Sequence, residues 1–232
     1  MSSLSVCMPA YNEEENIAEM VSDVLEVMNP RFDDLEIVVT NDGSKDGTGQ
    51  VLDDLAQRVP ELKPVHHGVN QGYGAAVFTA LSNASKDYIF FTDSDRQFVL
   101  EEVDRLVAKK DEADMIVGYR APRRDPFVRV LFGVGWSSLV TLLFGYTARD
   151  IDCAFKLFPR KLFDKVGPTI NSRGATFTAE FLVRTKRAGF TFAEVPVSHL
   201  PRVAGSQTGA RWDVISRAFR ELWHFRLTLW RE

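Results

Sequence analysis

The 232-residue chain reads as an α/β protein with a mostly parallel central sheet and helices on both faces, and three observations predict it. Short apolar runs alternate with segments of helical periodicity through the first half, the pattern of repeated βα units. The second run, over residues 35–40, is apolar except at Glu36 and Thr40 and holds Ile37-Val38-Val39 in succession rather than alternating, as befits a parallel strand buried on both faces. Polar clusters follow the first, second and fourth runs, where an open α/β sheet binds its ligands.

Residues 4–8 form the first predicted strand. Ile17, Met20, Val21, Val24, Leu25 and Met28 then recur at helical spacing and predict an amphipathic helix. The second strand, 35–40, ends in the turn Asn41-Asp42-Gly43-Ser44, and a helix carrying Val51, Leu52 and Leu55 follows. A short third strand lies near 64–66, a helix starts near Tyr73, the fourth strand is 88–92, a helix spans about 101–110, and the fifth strand is 115–119. Beyond Gly118 come a basic loop with Arg120, Arg123 and Arg124, an apolar segment at 127–146, and a strand-like run at 153–158. A helix with Phe181, Leu182 and Arg184 and a strand at 192–197 complete the pattern. The tail, 211–232, places Trp212, Ile215, Phe219, Leu222 and Trp223 on one helical face, which suits a helix covering the core or lying in a membrane interface.

A composition of 45% hydrophobic and 26% charged residues is that of a soluble globular protein. Charge is segregated along the chain. Residues 1–116 hold 9 Lys/Arg against 23 Asp/Glu, a net of −14, and the remainder holds 19 against 9, a net of +10. The acidic half would need a bridging cation to hold an anionic ligand, whereas the basic half attracts phosphates or an anionic membrane surface. Nucleic acid is not an expected partner. Cys7 and Cys153 offer neither a disulfide framework nor a metal-ligand spacing, so both are expected to be reduced and packed, as in a cytosolic protein. Residues 1–9 lack a basic start and a long apolar core, so no secretory leader is expected. Segment 127–146 is long enough to span a bilayer but carries Arg129, several glycines and two serines, which favours a helix lying at an interface.

The run Tyr88-Ile89-Phe90-Phe91-Thr92 ends in Asp93-Ser94-Asp95, two carboxylates one residue apart at the end of a strand. Carboxylate oxygens suit Mg2+ or Mn2+, and Mg2+ is usually held by one or two carboxylates together with substrate phosphates. The glycines Gly68, Gly72 and Gly74 precede a helix, permit close backbone approach and are expected to expose that helix's N-terminus to phosphate. A dinucleotide-binding oxidoreductase would instead carry G-x-G-x-x-G directly after the first strand, where Pro9-Ala10-Tyr11-Asn12-Glu13 stands.

Seven ordered segments carry a resemblance. They are Pro9-Ala10-Tyr11-Asn12-Glu13, Asn41-Asp42-Gly43-Ser44-x-Asp46-Gly47-Thr48, Asn70-x-Gly72-x-Gly74-Ala75, Asp93-Ser94-Asp95-Arg96-Gln97, Asp152-Cys153-Ala154-Phe155-Lys156, Glu194-Val195-Pro196-Val197 and Arg202-x-x-Gly205. Together they resemble the inverting family 2 glycosyltransferases of GT-A fold, and within them the dolichol-phosphate mannose synthase-like group. The resemblance implies one GT-A domain over 1–210, with a nucleotide-sugar half at 1–119 and an acceptor half at 120–210, followed by an amphipathic helix at 211–232. It implies that Pro9, Tyr11, Glu13, Thr40, Asp42, Gly72, Asp93 and Ser94 line the nucleotide pocket, with Asp42 bonding the base. Asp93, Asp95 and Gln97 would hold Mg2+ or Mn2+, and Arg120 and Arg202 would meet phosphates beside Asp95 in the catalytic set. The family often carries a Lys six residues after the second arginine; Thr208 stands there instead.

The acceptor decides whether a base is needed. Polyprenyl phosphate is already anionic and attacks without one, while a sugar hydroxyl needs a carboxylate, for which Glu180 is the candidate. Arg120, Arg123, Arg124 and Arg129 beside an apolar helix favour the lipid phosphate, with Asp152 and Lys156 on the acceptor side by resemblance. The expected activity is transfer of a hexosyl group from a GDP- or UDP-sugar to polyprenyl phosphate at the cytoplasmic membrane face. The rivals are a family 2 enzyme acting on a sugar hydroxyl and a catalytically silent nucleotide-sugar-binding subunit. Attachment to the membrane could come from the catalytic domain, from the C-terminal helix or from a small membrane-protein partner.

Overall fold

A computed structural model describes residues 3–122, 127–201 and 212–231. Seven strands form one sheet: β1 (Ser3–Ala10), β2 (Asp34–Asn41), β3 (Leu62–His66), β4 (Tyr88–Thr92), β5 (Met115–Arg120), β6 (Phe155–Pro159) and β7 (Phe192–Val197). Their order is β3-β2-β1-β4-β6-β5-β7. Neighbours are parallel except at β6, which runs antiparallel to both β4 and β5. The carboxyl ends of β1, β2, β4, β5 and β7 therefore share one edge with the start of β6.

Helices α1 (Ile17–Met28) and α2 (Thr48–Ala56) connect strands stepping outward from β1 to β3, and α3 (Tyr73–Ser82) carries the chain back across to β4. Right-handed crossovers then put α1 and α2 on one face and α3 on the other. The step from β3 back past β1 makes the reversal point of strand order, where open α/β sheets bind ligands. Short α4 (Val103–Val107) packs on β5 and β6, while α6 (Arg160–Val166) and α7 (Phe177–Arg187) join α3 on its face. Covering both faces buries β1 from Leu4 onward, which explains its unbroken apolar stretch after Ser5. Aromatic pairs knit the layers: Phe90 and Phe155 lie 4.7 Å apart within the sheet, and Phe158 on β6 meets Phe181 on α7 at 5.3 Å.

Helix α5 (Phe127–Phe144) realises the apolar segment, and no helix among the described residues is long and apolar enough to cross a membrane. The tail forms α8 (Trp212–Arg231), but its faces differ from the expected one. Ala218, Leu222, Phe225 and Leu229 are buried, whereas Phe219 is 52% exposed and Trp223 60% exposed. The side chains of Trp212 and Ile215 lie outside the described residues. The helix thus has an inner apolar stripe that covers the core and a second, outer one.

Candidate active site

The sheet edge gathers the polar loops as the strand order requires. The loop after β1 is laced to the loop after β2: Asn12 N donates to Ser44 Oγ at 2.9 Å, Lys45 N to Asn12 Oδ1 at 2.8 Å, and Glu13 N to Thr48 Oγ1 at 2.8 Å. Ser94 Oγ, just past β4, donates to Pro9 O at 2.8 Å and ties the third loop to the first. Pro9, Ser94 and Thr40 are themselves buried, so they form the floor of the crevice. Glu13 is buried too and accepts from Asn16 Nδ2 at 2.7 Å. Tyr11, Gly72, Asp93 and Asp95 are only half-buried, Gln71 and Tyr73 are exposed, and these face solvent at the rim.

Asp42, expected at the base, does a structural job. It is 2% exposed and accepts from Gln71 N at 2.9 Å and Gly72 N at 2.8 Å, and its Oδ1 pairs with His67 Nδ1 at 2.7 Å. The carboxylate thereby fixes the glycine loop. Two glycines make that loop possible: a Cβ on Gly43 would lie 2.4 Å from the Val69 carbonyl carbon, and Gly72 has φ of 102°, a region open only to glycine. One amide of the expected phosphate cradle at the N-terminus of α3 is already taken, since Ala75 N donates to Arg173 O at 2.7 Å.

Asp93 and Asp95 stand at the end of β4. Arg96 between Asp95 and Gln97 has φ of 59°, uncommon for a residue with a Cβ, and its guanidinium turns away to pair with Asp23 at 2.7 Å and with Glu19 on α1. Gln97 N then donates to Asp95 Oδ1 at 3.2 Å, while Gln97 Nε2 bonds Leu200 O at 2.8 Å. Burial, and next the neighbouring charge of Asp95, push the Asp93 carboxyl up to about 7; the Tyr73 hydroxyl, Arg120 and Lys156 oppose the rise. Two carboxylates that repel in this way are relieved by a cation. Among the described residues no three His, Cys, Asp or Glu side chains converge on one point. Two carboxylates with the Gln97 amide are oxygen donors of the kind that would suit Mg2+ or Mn2+, with substrate phosphates supplying further ligands.

The acceptor side departs further from the sequence expectations. Arg120 forms a bidentate pair with Asp150, Nε and Nη2 each at 2.8 Å, with side chains 10% and 4% exposed. Burial alone would pull the guanidinium down, but Asp150 holds it above its ordinary value and therefore charged. Lys156 is a correction: it is fully buried, and its Nζ donates to Ile151 O at 3.2 Å and to Cys153 O. It props the loop before β6 rather than meeting an acceptor, while Asp152 on that loop is exposed. Glu180 is a second correction. Its carboxylate is 1% exposed and accepts from Asn171 N at 3.1 Å, Ser172 N at 2.8 Å and Arg184 Nε at 2.6 Å, so it anchors the 171–172 loop instead of standing free as a base. Arg123, Arg124 and Arg202 lie outside the described residues.

Three residues near the site escaped the sequence reading. Tyr73 donates its hydroxyl to Asp93 Oδ1 at 3.1 Å, and Asp150 holds Arg120. His199 bridges Phe98 beside Gln97, its ring 5.1 Å from the phenyl ring. A His two residues beyond the end of β7 was the available signal, because that position falls on the same sheet edge as the other loops.

The reversal point, the laced loops and the paired carboxylates on one edge define the fold and ligand edge of the GT-A glycosyltransferases. The chain belongs to glycosyl transferase family 2, whose profile matches residues 5–167. It is 29% identical over 209 residues to a dolichyl-phosphate beta-glucosyltransferase, ALG5A, of Trichomonas vaginalis, which covers 84% of this chain and 64% of that protein. It is 28% identical over 211 residues to the polyprenol monophosphomannose synthase of Mycolicibacterium smegmatis, covering 86% of this chain and 78% of that one. The fold is similar to glucosyl-3-phosphoglycerate synthase of Mycobacterium tuberculosis in complex with Mn2+, UDP and phosphoglyceric acid, with a TM-score of 0.70, 20% identity, and coverage of 98% of this chain and 78% of that one.

Proposed function

We propose that the chain transfers a hexosyl group, with inversion and with a divalent metal, from a nucleotide diphosphate sugar to a polyprenyl phosphate. The observation that carries this reading is the pair Asp93 and Asp95 at the end of β4, where burial and the Asp95 charge push the Asp93 carboxyl up, in a chain whose relatives are named for lipid-phosphate acceptors. An ion held by Asp93, Asp95 and the Gln97 amide would offset the charge that grows on the departing diphosphate. Tyr11 offers a ring for the base to pack on, and Asp42 holds the glycine loop against it. A phosphate oxygen of the acceptor forms the new bond to the anomeric carbon as the bond to the diphosphate breaks. Arg120, kept charged by Asp150, stands close enough to influence Asp93 and is suited to a phosphate at this rim. Arg123, Arg124 and Arg202 retain their expected phosphate roles as part of the same proposal.

The acceptor reading gains from Glu180. A hydroxyl acceptor needs a base, and the carboxylate weighed for that task is committed to Asn171, Ser172 and Arg184. Mixing the protein with Mn2+, a short polyprenyl phosphate and UDP- or GDP-sugars is expected to release nucleotide diphosphate and form a lipid-linked sugar. EDTA should stop both. Release that proceeds unchanged in EDTA counts against the metal, and release that needs a sugar hydroxyl in place of the lipid counts against the acceptor.

The outer stripe of α8 supports a peripheral seat on the membrane, at the cytoplasmic face where anionic lipids meet basic residues. Phe219, Trp223, Leu227 and Trp230 are exposed at helical spacing, Trp230 by 80%, and Leu142 on neighbouring α5 is exposed by 82%. The two helices are joined by Phe144 stacked on Phe225 at 4.9 Å and Trp136 edge-on to Phe219 at 6.1 Å. Replacing both Trp223 and Trp230 by Glu should weaken binding to vesicles of anionic phospholipid by about 100-fold or more, given about 1.5–3 kcal/mol per buried large apolar side chain. Sedimentation with such vesicles checks it, and equal binding by the variant removes α8 from the membrane seat.

A further inference from the structure

Tyr73 stands at the first position of α3, and its backbone is clamped on both sides. Gly72 before it adopts φ of 102°, while Gln71 N and Gly72 N both donate to buried Asp42. Gly74 after it packs so tightly that a Cβ there would lie 2.4 Å from Gly174 O and 2.5 Å from Phe177 Cβ. Ala75 N is held by Arg173 O at 2.7 Å. On this rigid mount the Tyr73 side chain stays 40% exposed, and its hydroxyl donates to Asp93 Oδ1 at 3.1 Å. A tyrosine serving only the core would bury its ring. This one stays partly exposed and spends its hydroxyl on a carboxylate of the paired aspartates.

We infer that Tyr73 is a positioning residue of the donor site: by engaging Oδ1 of Asp93 it fixes the carboxylate plane and leaves Oδ2 to face the ion. The inference rests on the reading of Asp93 and Asp95 as metal ligands. Hydrogen-bond partners that orient a ligating carboxylate are worth about 10- to 100-fold in metal affinity or activity. The phenol acts through Asp93 and touches no reacting atom.

The test is Mn2+ binding, followed by loss of the free-ion electron paramagnetic resonance signal, in the presence of UDP and separately of GDP. Wild type is expected to bind the ion with one of these nucleotides. Tyr73→Phe, which keeps the ring, is expected to raise the Mn2+ Kd by about 10- to 100-fold. Its melting temperature without metal should match wild type, and turnover lost at limiting Mn2+ should return at saturating Mn2+. An unchanged Kd in Tyr73→Phe beside tight binding by wild type overturns the inference alone. A lowered melting temperature with a turnover defect that excess Mn2+ does not rescue also overturns it, since that marks a purely structural tyrosine. Absence of nucleotide-dependent Mn2+ binding by wild type instead defeats the metal reading, and the inference falls with it.

Discussion

Asp95→Ala is expected to lower turnover by about 10³-fold or more while leaving the protein folded. Asp95 is half-buried on a loop, and the bond its carboxylate accepts from Gln97 N at 3.2 Å is worth about 1 kcal/mol. On the proposed function the effect on the chemistry is much larger, because a nucleotide diphosphate would leave as a concentrated anion and a lone Asp93 with one amide would be a poor seat for the cation that offsets it. The variant should also show its origin in electrostatics. With the Asp95 charge gone, the second-largest influence raising Asp93 disappears, and the Asp93 carboxyl should titrate below the value of about 7 it has beside Asp95. Nucleotide release at saturating Mn2+, measured beside a thermal melt, checks the prediction; turnover near the wild-type rate would remove Asp95 from the metal site.

Much of the fold is legible in the sequence because burial on both faces leaves a local signature. The strands read at 88–92 and 192–197 fall on β4 (Tyr88–Thr92) and β7 (Phe192–Val197). Direction leaves no such mark: the run around 153–158 reads as a strand, but nothing in its periodicity says that β6 runs antiparallel between β4 and β5. Helix α6 follows β6 without a break and has only seven residues, too few for a helical period to stand out. On α8 apolar residues occupy more than one face, and only packing against α7 and α5 decides which is buried. One tie is distant in sequence: Thr176 Oγ1, just before α7, donates to Ala218 O at 3.1 Å.

The site divides along the same line. Asp93 and Asp95 announce themselves by spacing, whereas the groups that set their behaviour are distant in sequence and meet only in the fold. Tyr73 is 20 residues from Asp93 and Asp150 is 30 from Arg120. Charged residues are ordinarily exposed, so Lys156 and Glu180 read as surface or acceptor groups until their buried partners are seen. In both cases the charge is turned inward to hold a loop at the crevice: carbonyls of 151 and 153 for Lys156, amides of 171 and 172 for Glu180.

Asp150→Ala is expected to cost about 3–5 kcal/mol, since removing one partner leaves the Arg120 guanidinium buried without the carboxylate that charges and orients it. For a chain of this size that corresponds to a fall in melting temperature of roughly 10 °C. The loss should separate into two parts when the partner is changed as well. Replacing the whole pair, Arg120→Met with Asp150→Leu, removes the stranded charge and is expected to recover most of the stability, because apolar residues of similar volume often match a buried ion pair. Turnover should not recover with it. Arg120 acts on the Asp93 carboxyl through its charge and, on the proposed function, on a phosphate, and Met supplies neither. A double variant that regains both stability and turnover would show that the Arg120–Asp150 pair serves the fold alone; one that regains only stability places the guanidinium in the chemistry, with Asp150 as the group that keeps it there.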